Sequence, residues 1–236
     1  MKNSSADISP TAGQMPRLLG LALASKLYRQ NPDLHNFTDF SNQGNEVAFG
    51  TIGNASTSEG GFWEVINAAG VLQVPMAISV WDDGYGISVP IEFQTTKSSI
   101  SKALAGFQRN EDGKGLEIIE VKAWDYPGLL AAYVRAAKLA REEFVPCLVH
   151  VIECTQPQGH SASGSHERYK STDRLAWEHE ADCNVLFRQW ILENKYSDES
   201  TLKSIDDAAV IQARKYQKDA FAAYMSSVDV DRKGYL

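Results

Sequence analysis

The stretch NEVAFGTIGNASTSEGGFWEVINAAGVLQVPMAISVWDDGYGISVP, running from Asn45 to Pro90, decides the fold. Its β-branched and aromatic opening, Val47 to Ile52, ends at Gly53. A second apolar run, Val74 to Trp81, stops at Asp82-Asp83-Gly84. Short apolar runs closed by turn residues read as buried strands of a parallel sheet. Between them Ser56-Thr57-Ser58-Glu59 has capping-box spacing, which predicts a helix with Ser56 as N-cap. Phe62, Ile66, Ala69 and Gln73 follow at helical spacing, with Val65 and Leu72 widening the apolar stripe. The unit is strand–helix–strand, so the two strands are expected to be parallel and joined by a right-handed crossover.

Parallel strands end on the same edge of a sheet, the edge where open α/β folds bind ligands. Asn54 and Asp82-Asp83, far apart in sequence, are therefore expected to meet there. The predicted helix start at Ser56 lies beside them, and its free N–H groups favour an anion. Oxygen-rich strand tips next to an anion-binding helix end suit a hard cation bridging to a diphosphate. A dinucleotide site fits less well, because G-x-G-x-x-G is absent. Taken singly, Asn54 and Asp82-Asp83 also read as ordinary turn formers at strand ends. The two tips together, with their spacing and flanks, favour the ligand-binding reading.

These residues resemble a family motif. Thiamine diphosphate enzymes carry Gly-Asp-Gly, a spacer, then Asn-Asn; here Gly53-Asn54-Ala55 is followed by residues 56–81 and Asp82-Asp83. With the flanking S-E-G and G-Y-G-I-S-V-P, the segment resembles the alpha subunit of the first component of 2-oxo acid dehydrogenases, of the branched-chain 2-oxo acid or pyruvate type. The resemblance implies Mg²⁺ ligation by Asn54, Asp83 and the backbone carbonyl of Tyr85. It also implies cofactor contacts from Gly53, Asn54, Ala55, Ser56, Asp83, Tyr85 and Ile87. Two ligand types are exchanged relative to the motif: an amide stands at Asn54 and a carboxylate at Asp83, so one of each is kept. Mg²⁺ needs oxygen ligands and charge rather than a given order of them. Ala55 replaces the second glycine, at a turn where backbone is expected to approach the cofactor.

The rest of the chain extends the α/β pattern. Met15, Leu18, Leu19, Ala22, Leu23 and Leu27 predict an amphipathic helix within 11–29, ended by Asn31-Pro32. Ser98 or Ser99 is expected to cap a helix reaching Phe107. Leu116 to Val121 reads as a third strand. Pro127 to Phe144 reads as a helix burying Leu130, Tyr133, Val134, Ala137 and Ala140. Val145 to Glu153 reads as a fourth strand, with His150 a packed core histidine. The long polar stretch from Thr155 to Lys170 leaves that strand on the ligand edge, where such loops are often functional.

Its G-H-S-x-S followed by a tyrosine and a basic residue is similar to the family's active-site loop. The resemblance gives His160 a role on the substrate side, where it can donate a proton or stabilise charge. It also marks Ser161 as a phosphorylation position. The family's arginine before the histidine is replaced by Gln156, with His166, Arg168 and Lys170 as substitute sources of positive charge. Thr172 to Asn194 and Ser197 to about Met225 are read as C-terminal helices, their aromatic residues serving packing or a subunit interface.

Composition sets the outer bounds. With 236 residues the chain can bury a large core, and a net charge of −7 argues against nucleic acid or an anionic membrane as principal partner. Three cysteines without a C-x-x-C spacing read as reduced thiols. No apolar leader follows Met1 and no stretch is long enough to span a bilayer, so a cytoplasmic location is expected. Residues 1–10 read as a polar lead-in.

The expectation is an α/β parallel sheet with helices on both faces, the thiamine diphosphate-binding fold. Residues 1–171 are read as the diphosphate- and Mg²⁺-binding domain and residues 172–236 as its helical extension. The resemblance implies oxidative decarboxylation of a 2-oxo acid, with acyl transfer to the lipoyl group of an acyltransferase. It also implies a beta-type subunit that supplies the activating glutamate within a heterotetramer. Thr11-Ala12-Gly13-Gln14 resembles the family's stretch just before its first strand. Diphosphate-holding tyrosine and arginine groups that lie further upstream in the family are expected from a longer chain or from another polypeptide. A catalytically impaired scaffold or regulatory subunit, or a transketolase-like enzyme, are the competing readings.

Overall fold

The computed structural model describes residues 10–160 and 165–234, with side chains to residue 227. The polar lead-in expected before residue 10 lies almost wholly outside the described residues. Two compact units are present, Met1–Val185 and Leu186–Leu236. In the first, four strands form a parallel sheet in the order β1-β2-β6-β5: β1 is Ala48–Gly53, β2 Met76–Trp81, β5 Glu117–Lys122 and β6 Cys147–Ile152. A two-residue hairpin, β3 (Tyr85–Gly86) with β4 (Val89–Pro90), follows β2.

The chain runs β1–α2–β2 in one direction across the sheet and β5–α4–β6 in the other, where α2 is Gly60–Leu72 and α4 is Tyr126–Glu143. Right-handed crossovers run in opposite directions place their helices on opposite faces. Two cores result. Phe62, Val65, Ile66 and Ala69 of α2 pack with Met15, Leu18 and Ala22 of α1 (Met15–Gln30) against Met76, Ile78, Val80 and Leu148. On the other face Ala132 and Ala136 of α4 pack against Cys147, Val149 and Val151. β2 and β6 are buried along nearly their whole length, which is why both read as continuous apolar runs. The sheet's reversal point falls between them, and ligands bind at such points in open α/β sheets.

Four local readings are corrected. The capping box is not made: Ala55–Ser58 forms a 3₁₀ turn, and α2 begins at Gly60 with no side-chain cap. Asn54 already has helical dihedrals, and Thr57 Oγ1 donates to the Asn54 carbonyl at 2.5 Å, so the backbone tightens before the helix starts. On α4 the buried stripe is Ala132, Ala136 and Ala140, whereas Leu130 and Val134 are 57% and 60% exposed. Small side chains let the helix lie close to the sheet, and burial follows that fit rather than residue size. The single helix expected over 172–194 is two, α5 (Thr172–Glu180) and α6 (Cys183–Glu193). The last helix, α7, runs over Glu199–Gly234, beyond the expected end near Met225.

In the second unit Phe187, Trp190 and Tyr196 stack in succession, and Arg188 pairs with both Glu199 and Asp206. Among the described residues no helix is long and apolar enough to cross a membrane.

Candidate active site

The β1 and β2 tips meet as parallel pairing requires. Gly53 pairs with Trp81, and Asn54 N donates to the Trp81 carbonyl at 3.0 Å. β6 joins them: Asp82 N donates to Val151 O at 2.9 Å, and Cys154 N donates to Asp82 O at 3.0 Å. A cleft of about 900 Å³ opens over this edge, within the range of small-molecule sites. It is lined by Gly53, Asn54, Ala55 and Ser56 from the β1 tip, by Asp83, Tyr85, Gly86 and Ile87 after β2, and by Cys154, Thr155, Gln156 and His160 after β6. The residues expected to contact the cofactor and the metal, and His160, therefore border one cavity. Ser161 lies outside the described residues.

The two aspartates after β2 have different surroundings. Asp82 points under the edge: its Oδ1 accepts from Gly84 N at 2.8 Å and its Oδ2 from His150 Nε2 at 2.9 Å. Asp83 faces the cleft, with Oδ1 accepting from Tyr85 N at 3.1 Å. Burial pushes the Asp83 carboxyl above its ordinary value, opposed by that backbone hydrogen bond and by the charges of Lys170 and Arg174. Gly84 turns the chain at a φ of +80°, a conformation that favours glycine. Ile87 also has positive φ, and its side chain is exposed at the cleft. Gly86 packs against the opposite tip so closely that a Cβ there would lie 2.7 Å from the Ala55 methyl.

Asn54 is 4% exposed, and its amide nitrogen has no hydrogen-bond partner. A buried polar group without a partner is costly, so such a group at a cleft marks a place where a ligand completes the bonding. The unpartnered N–H suits an acceptor such as a phosphate oxygen, and the same amide turned over would present its oxygen to a cation. An amide, a carboxylate and the Tyr85 carbonyl together make an oxygen donor set of the kind Mg²⁺ takes, with room for phosphate oxygens and water. The residues present fit a magnesium–diphosphate group. Among the described residues lining the cleft there is no lysine or arginine, so negative charge there must be balanced by the cation and by groups from elsewhere.

The expected substitute cations are placed otherwise. Lys170 is buried, its ammonium 2.7 and 2.8 Å from the two carboxylate oxygens of Glu178, which is 1% exposed. It is a structural cation and does not line the cleft. Arg174 completes the cluster: Nε donates to Glu178 at 2.8 Å and Nη2 to the Asp83 carbonyl at 2.6 Å. Its guanidinium lies over the Tyr85 and Trp177 rings. The trace of this clamp from α5 onto the turn after β2 in the sequence is Arg174 and Glu178 four apart on one helix, with Lys170 four residues before Arg174, ahead of the helix start. The same end of the loop touches residues of the cleft through Tyr169, whose ring lies 5.9 Å from that of Tyr85 and whose hydroxyl engages the His160 backbone.

Comparison with known proteins supplies relatives for this arrangement. The family described as "Dehydrogenase E1 component" matches residues 4–228. The chain is 24% identical over 187 residues to the pyruvate dehydrogenase E1 component subunit alpha of Rickettsia felis, covering 78% of this chain and 55% of that one. It is 25% identical over 229 residues to the mitochondrial 2-oxoisovalerate dehydrogenase subunit alpha 1 of Arabidopsis thaliana (93% and 44% covered). To the pyruvate dehydrogenase E1 component subunit alpha of Bacillus subtilis it is 30% identical over 166 residues (69% and 42%). The chain spans about half the length of the curated relatives it matches.

Proposed function

This chain belongs to the dehydrogenase E1 component family, and on that premise we propose that it forms the alpha-type, diphosphate-binding part of a thiamine diphosphate-dependent 2-oxo acid dehydrogenase. The observation that carries the reading is the meeting of Asn54, Asp83, Tyr85 and His160 around one cleft at the reversal point of the sheet. The Asn54 amide, the Asp83 carboxylate and the Tyr85 carbonyl would hold Mg²⁺. Gly53, Ala55 and Ser56 would border the diphosphate, and Ile87 the rest of the cofactor. When bound, thiamine diphosphate supplies the electron sink for decarboxylation of a 2-oxo acid. His160 would hold or deliver a proton at the substrate end, and such a group contributes roughly 10²–10⁴-fold to rate. In this reading the acyl group passes to a lipoyl-bearing acyltransferase. Residues 1–171 carry the site, and residues 172–236 extend it.

A beta-type subunit completes the site in this reading, because no residue here is identified as the activating glutamate and the described lining of the cleft holds no lysine or arginine. The exchanged amide and carboxylate favour one second reading, a catalytically impaired scaffold or regulatory subunit. Reconstitution with a beta-type subunit decides between them. The enzyme reading expects carbon dioxide release from pyruvate or a branched-chain 2-oxo acid, dependent on Mg²⁺ and thiamine diphosphate and reduced in His160→Ala. Release from none of these acids, with the chain assembled with its partner, would give the scaffold reading instead.

A further inference from the structure

A buried hydrogen-bond chain runs beneath the cleft. Ser101, on the short helix α3 (Ile100–Ala103), places Oγ 2.6 Å from His150 Nδ1, and His150 Nε2 lies 2.9 Å from Asp82 Oδ2. His150 is 1% exposed, on the middle strand β6, in register with Val80 of β2. A carboxylate only accepts, so Nε2 carries a proton and donates it, and Ser101 orients the ring at the other nitrogen. Glu120 of β5, facing the same nitrogen, stands 3.6 Å away, outside hydrogen-bond distance. An apolar residue would fill this place on the sheet face without the cost of burying an imidazole. The two directed bonds instead connect the ring to a helix on one side and to the β2 tip on the other.

That tip is the turn that presents the candidate ligands. Asp82 uses its second oxygen to accept from Gly84 N, so the bond from His150 fixes the carboxylate plane that Gly84 relies on. Gly84 at positive φ then directs Asp83 and Tyr85 into the cleft.

We propose that His150, oriented by Ser101, is a positioning residue: its hydrogen bond to Asp82 holds the Asp82–Tyr85 turn in the form in which Asp83 and the Tyr85 carbonyl offer oxygen to a divalent cation carrying a diphosphate. The binding consequence rests on the function proposed above, while the local geometry does not.

The test compares His150→Gln, which keeps a donor near the Nε2 position, with His150→Leu, which keeps volume and removes the donor. Residue-resolved amide hydrogen exchange on the full chain reads the turn directly. In His150→Leu, exchange at Gly84 and Tyr85 is expected to rise about tenfold while the amides of α2 and β2 stay within about twofold; His150→Gln stays near the unaltered chain. Where His150→Leu fails to fold, Ser101→Ala replaces it, with the same selective loosening to a smaller extent. Uniform loosening in the variant, no change at Gly84, or equal loosening in the Gln variant each overturns the proposal.

Titration of thiamine diphosphate with Mg²⁺ is the second readout. His150→Leu is expected to weaken binding about tenfold and His150→Gln less than about threefold. Unchanged affinity in the Leu variant also overturns the proposal. Failure of the unaltered chain and its beta-type partner to bind would count against the function above, and the exchange experiment would still decide the role of His150.

Discussion

Glu178 gives the sharpest energetic prediction. Its carboxylate is 1% exposed and accepts from Lys170 at 2.7 and 2.8 Å and from Arg174 at 2.8 Å, and the Lys170 side chain is itself only 2% exposed. Glu178→Leu keeps most of the volume but leaves the ammonium buried without its partner. Removing one member of a buried pair costs about 3–5 kcal/mol, because the remaining charge stays desolvated. For a chain of this size each kcal/mol lowers Tm by about 2–4 °C, so a drop of roughly 6–20 °C follows. Near-ultraviolet circular dichroism during heating reads it, since Tyr85 and Trp177 both stack on Arg174. Adding Lys170→Met to Glu178→Leu replaces the pair by apolar side chains, and most of the loss is then expected to return. A cost below about 1 kcal/mol for Glu178→Leu, or no recovery in the double variant, would refute the assignment of this pair as the anchor of α5.

Other outcomes follow from the cleft. Because burial holds the Asp83 carboxyl above its ordinary 3.8, its protonated form is favoured by folding; the stability it contributes is fully present below that pH and lost as pH rises through the folded value. Asp83→Asn is therefore expected to raise the Tm of the cation-free chain at pH 7, with the difference vanishing toward pH 3.8, as thermal melts across pH would record. Gly86→Ala places a methyl 2.7 Å from that of Ala55, so overpacking of about 1–3 kcal/mol should appear in denaturant unfolding, with a narrowed cleft. Burial pushes the Cys154 thiol up to about 12, so its thiolate fraction at pH 8 is about a thousandfold below that of an ordinary thiol. Mass-spectrometric alkylation kinetics should show Cys154 among the slowest thiols although it lines the cleft.

The sheet and the meeting of its tips were legible because they depend on local signals. β2 and β6 are unbroken apolar runs, and parallel pairing alone brings Asn54 to Asp83's edge. Where several local solutions compete, the reading failed. Ser56 to Glu59 satisfies a capping box on paper, but Ser56 lies inside a 3₁₀ turn, reinforced by the Thr57 hydroxyl on the Asn54 carbonyl, and Glu59 rather than Ser56 takes the N-cap position of α2. Hydrophobicity also favoured Leu130 and Val134 over alanines for the buried side of α4, whereas close approach to a sheet selects the small residues.

Long-range polar partnerships were not legible at all. His150 was readable as a core histidine, but its partners Asp82 and Ser101 lie 68 and 49 residues away, and only the assembled sheet puts them in reach. The same holds for Arg174 on the Asp83 carbonyl, 91 residues apart. The difference between Asp82 and Asp83 is likewise tertiary. Identical neighbours in sequence, one is turned under the edge by a histidine and the other is left facing the cavity.

In the proposed function Asn54, Asp83 and Tyr85 hold a magnesium–diphosphate group. Calorimetric titration of thiamine diphosphate into the chain assembled with its beta-type partner, with and without Mg²⁺, tests it most directly. Binding is expected to require Mg²⁺ and to be lost in Asp83→Ala. Binding indifferent to Mg²⁺ or to Asp83→Ala, or no binding in the complete assembly, would contradict it.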